Sequence, residues 1–357
     1  MKLNTCQLFS DMTRDRALTE LILYAQHVAG SGSLQGKAVR CATIKNYVAD
    51  AASLMINLGN LEYDPRWEAC SVRVYADKLN SIFKEVSRFE ELPNRREPFT
   101  IEMLDSMHTD TYGQHAEDSV FNTLRDWFVI GLHAGVRKVE WAQEASVHTI
   151  AGVGTAEGFG TEAFTIRDVR WELVTGQRIR GANILRHDPS TIKACWLKWR
   201  TQKNKSNGEE RMFTQPPPGS KYNFCTSLFR IVRRFVRLVG ATNFDAPLAV
   251  FKDEAGMVRP INSTHVRTVM RHIAAVVYNY DPSKPADQAA LQKWSCHSLR
   301  VGACVILHSM GFTDTQIQWI LCWKSLAFWA YLRNIAVLTD KHAAAFSMHS
   351  GMPPIAL

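Results

Sequence analysis

The segment SRFEELPNRREPF, residues 87–99, breaks an otherwise regular run of apolar residues and carries Pro93 and Pro98. Proline fixes φ, lacks an N–H donor and pushes the residue before it out of the helical region. No single helix crosses such a segment, so the chain is expected to divide into residues 1–92 and residues 93–357. A length of 357 residues is enough for two separate cores. On the N-terminal side, LTELILYAQHVA and IKNYVADAASLMINLG place apolar residues at helical spacing. Ile44, Tyr47, Val48, Ala51 and Leu54 share one predicted face, and Gly59 is a stop. Residues 67–86 repeat the pattern, so residues 13–88 as a whole read as helical. Thr100 is suited to cap a helix beginning IEMLDSM.

Past the break, VFNTLRDWFVIGLHAGVRKVEWA reads as a strongly apolar helix. IAGVGTAEGFGTEAF follows; its glycines have neither a phosphate-loop lysine nor dinucleotide-binding spacing, and it reads as an insertion loop. ACWLKWRTQKNKSNGEERMFTQ predicts a β-hairpin turning at Asn207-Gly208, ended by Pro216, Pro217 and Pro218. From residue 297 the pattern is helical again. One helix ends at Gly311, Thr313 and Gln316 form a capping box, Ser325 caps another, and Thr339 or Asp340 starts a short last one. The expected fold is mainly α with a small β-sheet: an N-terminal helical domain and a C-terminal α+β domain.

Apolar content of 46% and charged content of 21% are ordinary for a globular chain, but the net charge of +8 favours polyanionic partners. The apolar runs are too short to span a bilayer, and no signal-peptide core opens the chain, so an intracellular protein with no membrane partner is expected. Eight cysteines form no Cys-x-x-Cys pair, which leaves neither a zinc spacing nor a disulfide framework in view. Residues 216–271 hold nine Lys/Arg against three Asp/Glu. Within them SLFRIVRRFVRLVG puts Arg230, Arg233, Arg234 and Arg237 along one helical stripe, with Leu228, Ile231, Phe235 and Leu238 opposite. That stripe is a candidate DNA-facing surface, weighed against a merely solvated face.

His297-Ser-Leu-Arg300 sets an imidazole and a guanidinium one helical turn apart. The spacing alone is close to chance in a chain this rich in arginine, and Tyr331, in the aromatic string CWKSLAFWAYLRN, alone reads as core. Taken together, HSLRVGACVILHSMGFTDTQIQWILCWKSLAFWAYLRN resembles the C-terminal signature of the tyrosine recombinase (phage integrase) family. Trp323 and the ending Tyr-x-Arg-Asn are similar to its Cre-like members, and RKVEW with WRTQKNKSNGE resembles recombinases of eukaryotic mobile elements.

The resemblance implies an upstream arginine followed by an acid, which Arg137 and Glu140 match, and a hairpin lysine, which Lys203 matches first and Lys205 second. It also implies an N-terminal helical core-binding domain that closes over DNA. The implied reaction cleaves and rejoins DNA through a 3′-phosphotyrosine, with Tyr331 as nucleophile. Arg137 and Arg300 would clamp the non-bridging oxygens, because a guanidinium fork binds them bidentately and stays charged. His297 would serve as acid or base, Lys203 would protonate the leaving 5′ oxygen, and Trp323 would hydrogen-bond a phosphate oxygen. Glu140 would orient its neighbours. No cofactor or metal is needed by that scheme. The implied partners are double-stranded DNA and copies of the chain, as a tetramer on two sites in which residues 340–357 dock on a neighbour. The implied location is the nucleus in a eukaryote and otherwise the cytoplasm. Two other readings compete: a type IB topoisomerase-like enzyme, and a DNA-binding descendant without catalysis. The sequence departs from the pattern at Cys322, where relatives often carry glycine, and in the long stretch between Arg137 and Lys203.

Overall fold

A computed structural model describes residues 13–32, 39–59, 61–67, 74–90, 96–109, 115–143, 163–200, 207–323 and 328–332. The chain forms two compact units, Met1–Asn94 and Arg95–Leu357.

The first unit packs three helices. In α1 (Arg14–Ser31), Thr13 caps the first turn through Arg16 N, and Ala17, Leu21, Ala25 and Val28 form the buried stripe. In α2 (Cys41–Gly59) the buried face is Cys41, Ile44, Val48 and Ala52. Tyr47 and Leu54, expected on that face, are 39% and 53% exposed, so the stripe is rotated from the predicted one. α3 (Asp77–Arg88) contributes Leu79 and Phe83 to the same core. The helix expected over residues 67–86 begins only at Asp77. Upstream of it Trp67 and Tyr75 pair as an isolated antiparallel bridge, their rings 4.7 Å apart. An extended pairing satisfies the backbone there, and aromatic contact replaces helical packing.

The second unit is built around α5 (Val120–Ala134), capped by Ser119 and buried on nearly every side. A helix apolar all round must sit inside, and this one packs against α4 (Ile101–Thr109), α7 (Phe224–Leu238), α8 (Ser263–Tyr278), β5 (Val250–Lys252) and α10 (Ser298–Ser309). As expected, Thr100 caps α4, its Oγ1 accepting from Met103 N at 3.3 Å. The long helix predicted through Trp141 is interrupted: Gly135 ends α5 in the left-handed region at φ 57°, and α6 (Lys138–Trp141) starts anew.

A four-stranded antiparallel sheet runs in the order β2 (Arg178–Arg180), β1 (Val169–Leu173), β3 (Ile192–Trp199), β4 (Glu209–Thr214). Its inner face rests on α7, through Trp171 with Phe229, Phe213 stacked on Phe224, and Cys195 Sγ 3.3 Å from Cys225 Sγ. The expected hairpin is β3–β4, paired from Ala194 with Thr214 to Trp199 with Glu209; residues 201–206 lie outside the described residues. β5 pairs with β6 (Val258–Pro260). After α8 come α9 (Pro285–Leu291), α10, α11 (Asp314–Leu321) and α12 (Trp329–Leu332). The capping box expected at Thr313 and Gln316 opens α11. The Gly-rich loop lies almost wholly outside the described residues, as do the caps expected at Ser325 and at Thr339 or Asp340. Mainly α with a small sheet is the architecture observed. Among the described residues no helix is long and apolar enough to cross a membrane.

Candidate active site

Gly135 turns the chain out of α5 so that Arg137 stands in extended backbone as the residue before α6. Glu140, three residues on and 2% exposed, accepts from Arg137 N at 2.6 Å and from Arg137 Nη1 at 2.9 Å. The carboxylate therefore fixes both the backbone and the guanidinium of one residue. Thus held, Arg137 Nη2 reaches Cys322 O at 3.4 Å, 185 residues away in the chain.

Arg300 arrives from α10. It is 6% exposed. Its Nη1 donates to Gly135 O and its Nη2 to Leu321 O at 2.9 Å. Its guanidinium carbon lies 4.8 Å from the Trp323 ring centre. His297, the residue before α10, is exposed as a residue. The protein around part of its ring still strips hydration, and with Arg300 and Arg96 nearby this holds the imidazole below its ordinary pKa. At neutral pH His297 is a neutral ring, able to take up a proton.

The turn that receives both arginines is the end of α11. The last carbonyls of a helix lack intrahelical donors, and here guanidiniums supply them. Cys322 closes the helix in the left-handed region, φ 55° and ψ 46°. The next amide, Trp323 N, donates back to Gln318 O at 2.9 Å. Trp323 stands between Arg300 and Phe328, whose ring centre is 5.4 Å from its own. Phe328 and Leu332 are buried with Ala303, Cys304, Ile317 and Leu321, which seats α12 on α10 and α11.

Of the residues singled out in the sequence, Arg137, Glu140, Arg300 and Trp323 meet at this turn, and His297 lies one helical turn from Arg300. Tyr331 belongs to α12; its side chain lies outside the described residues. Lys203 and Lys205 lie outside them as well.

The basic stripe of α7 is ion-paired along its length. Arg230 pairs with Asp126 at 2.6 Å, Arg233 with Glu117 at 2.6 Å, and Arg237 with Glu117 and Asp118. Arg234, 4% exposed, binds the fully buried Asp126 at 3.0 Å. These cations neutralise carboxylates at the start of α5 and within it, while Arg233 and Arg237 keep 49% and 39% of their side chains exposed. Arg234, by contrast, has no exposed side chain to offer.

One residue of the neighbourhood went unnoticed in the sequence. Arg211, on the inner face of β4, is 7% exposed, binds Glu209 at 2.5 Å and stacks on Trp319 at 5.2 Å. It stands close enough to the Cys322 thiol to act on it electrostatically. Burial outweighs that influence and pushes the thiol up to about 11. The readable signal was an arginine at an inward position of a strand with period-two alternation.

No protein-family model matches the chain, and no curated protein sequence matches it. Among solved structures, the Tn1549 transposon integrase in complex with circular intermediate DNA matches at 13% identity and a TM-score of 0.42, over 88% of this chain and 80% of that one. A single-residue variant of the same integrase in complex with transposon right end DNA matches at 12% identity and a TM-score of 0.45, over 94% and 85%.

Proposed function

We propose that the chain is a tyrosine recombinase that breaks and rejoins duplex DNA through a 3′-phosphotyrosine. The observation that carries this reading is the convergence of Arg137 and Arg300, from α6 and α10, on successive carbonyls of one turn just before Trp323. Two guanidiniums fixed before any anion arrives suit a pentacoordinate phosphorus, whose added negative charge sits on non-bridging oxygens. Loss of one such preorganised donor costs about 10²-fold or more in rate.

In the proposed reaction the Tyr331 oxygen bonds to phosphorus as the bond from phosphorus to the 5′ oxygen breaks. A phenol of pKa about 10 is a weak nucleophile at neutral pH. Neutral His297 takes its proton, and Lys203 delivers one to the departing 5′ oxygen. Rejoining runs the same steps backwards with a 5′ hydroxyl as nucleophile. Residues 1–92 would close on the DNA as the core-binding domain, and four copies on two sites would exchange strands. The Cre-like ending and a mobile-element origin belong to the same proposal.

The test incubates the protein with a nicked suicide duplex and looks for protein-linked DNA. Wild type is expected to give the covalent band, and Tyr331→Phe to bind the duplex without giving it. A covalent band from the phenylalanine variant would remove Tyr331 from the nucleophile's role. Good binding with no band from wild type would leave a DNA-binding protein without catalysis.

A further inference from the structure

The face of the four-stranded sheet turned away from α7 is unusual in what it exposes. Strand alternation sends Trp171, Ile179, Cys195 and Leu197 inward and Arg170, Arg178, Arg180, Trp196 and Lys198 outward. Among the described residues of these strands, the half-buried Glu172 and Glu210 oppose this charge. Glu172 binds Lys193 at 2.7 Å and lies 3.9 Å from Arg178; Glu210 binds Arg170 at 3.0 Å. Arg180 has no carboxylate partner among the described residues.

The register sharpens the point. Arg180, Arg170, Trp196 and Met212 form one row straight across the four strands. Arg170 and Arg180 are therefore directly opposite like charges, an arrangement that weakens a sheet. A hollow of about 250 Å³ opens beside the row, walled by Arg170, Arg178, Arg180, Trp196 and Glu210. A second, of about 520 Å³, lies on the other side of Arg180, with Arg167 stacked at 4.8 Å on the Phe244 ring.

We infer that this outer face is a second nucleic-acid contact, in which Arg178 and Arg180 grip phosphates of a DNA strand that crosses the sheet beside Trp196. Paired guanidiniums bind phosphate oxygens in bidentate fashion, and an indole flanked by arginines offers the flat apolar surface that a sugar or base edge covers. None of the residues walling the hollow belongs to the Arg137–Arg300 turn. This contact rests on the recombinase reading only for the identity of the polyanion.

The test measures affinity for a long random-sequence duplex over a salt series. Each neutralised phosphate contributes about 0.9 to the slope of log affinity against log salt. Arg178→Glu with Arg180→Glu is expected to lower that slope by about 2 and to weaken binding at low salt. Arg178→Lys with Arg180→Lys is expected to keep most of it. Arg180→Gln alone, at an exposed position, is expected to lose about 1, so the inference stays testable if the double glutamate variant folds poorly. An unchanged slope in both the Gln and the Glu variants would overturn it, as would binding to anionic phospholipid vesicles in place of duplex. The suicide-duplex adduct reads the Tyr331 proposal independently: a lowered slope without adduct keeps the sheet site alone, and adduct with an unchanged slope keeps the recombinase alone.

Discussion

Cys322 holds a backbone conformation that ordinarily belongs to glycine, φ 55°. For a residue with a Cβ this costs about 1–2 kcal/mol. Its side chain is 8% exposed, so glycine would relieve the strain while losing a small buried group. The two effects nearly offset, and Cys322→Gly is expected to change stability by no more than about 1 kcal/mol. Cys322→Val keeps the strain and adds β-branching, and is expected to cost about 2 kcal/mol or more. Urea titration decides it; a valine variant as stable as the glycine variant would contradict the argument. At this scale much of the site was legible, because the chemistry demands particular residue types. Arg137, Glu140, Arg300 and Trp323 could be named because the resemblance to tyrosine recombinases implies an upstream arginine with its acid beside the His-x-x-Arg pair and the tryptophan. Arg211 was missed because an arginine in a strand reads as solvated. The partners of Arg230, Arg233, Arg234 and Arg237 lie more than a hundred residues upstream, where helical spacing carries no information about them.

Among the elements, α10 packs closely at two glycines, its own Gly302 and Gly131 of α5. A methyl group on Gly302 would collide with the backbone carbonyl oxygen of Phe99, which cannot swing aside. One on Gly131 would sit 2.9 Å from Leu299 Cδ1, the end of a flexible side chain. Gly302→Ala is therefore expected to destabilise by about 1–3 kcal/mol, and Gly131→Ala by clearly less. Thermal melts of the two variants compare them directly, and equal losses would show that the Phe99 segment yields. The β3–β4 hairpin and the α11 cap were legible because each is written in adjacent residues. β1 and β2 were not. Arg-Ile-Arg is too short and too charged to look like a strand; β1, Val-Arg-Trp-Glu-Leu, is fixed by pairing with β3, and β2 by pairing with β1.

For the molecule as a whole, acid sensitivity has a traceable origin. His108 on α4 is half-buried and lies near Arg125, Arg230 and Lys221. Burial first, and those cations second, bring its pKa down to about 4. The folded value lies below the unfolded one of about 6.5, so the fold favours the neutral ring. Its stabilising contribution is complete above pH about 6.5 and is lost as pH falls towards about 4. Glu117 behaves similarly but lower on the scale, its carboxylate held down chiefly by the hydrogen bond from Arg237. Melting temperature is expected to decline between pH 6.5 and 4, and His108→Phe to flatten that decline, before carboxylate protonation takes over. An identical decline in the phenylalanine variant would assign it to other groups.

The end of α11 carries one more consequence. Leu321 O, Cys322 O and Gly135 O are each held by an arginine of the site. The last turn of α11 is thus tied to both arginines, so its local opening touches each of them. Fraying of that last turn would take one acceptor from each guanidinium at once, Cys322 O from Arg137 and Leu321 O from Arg300, while Glu140 and Gly135 O still hold them. In the proposed reaction, the aim of Arg137 and Arg300 at a phosphate would then depend on the local opening of one helical turn.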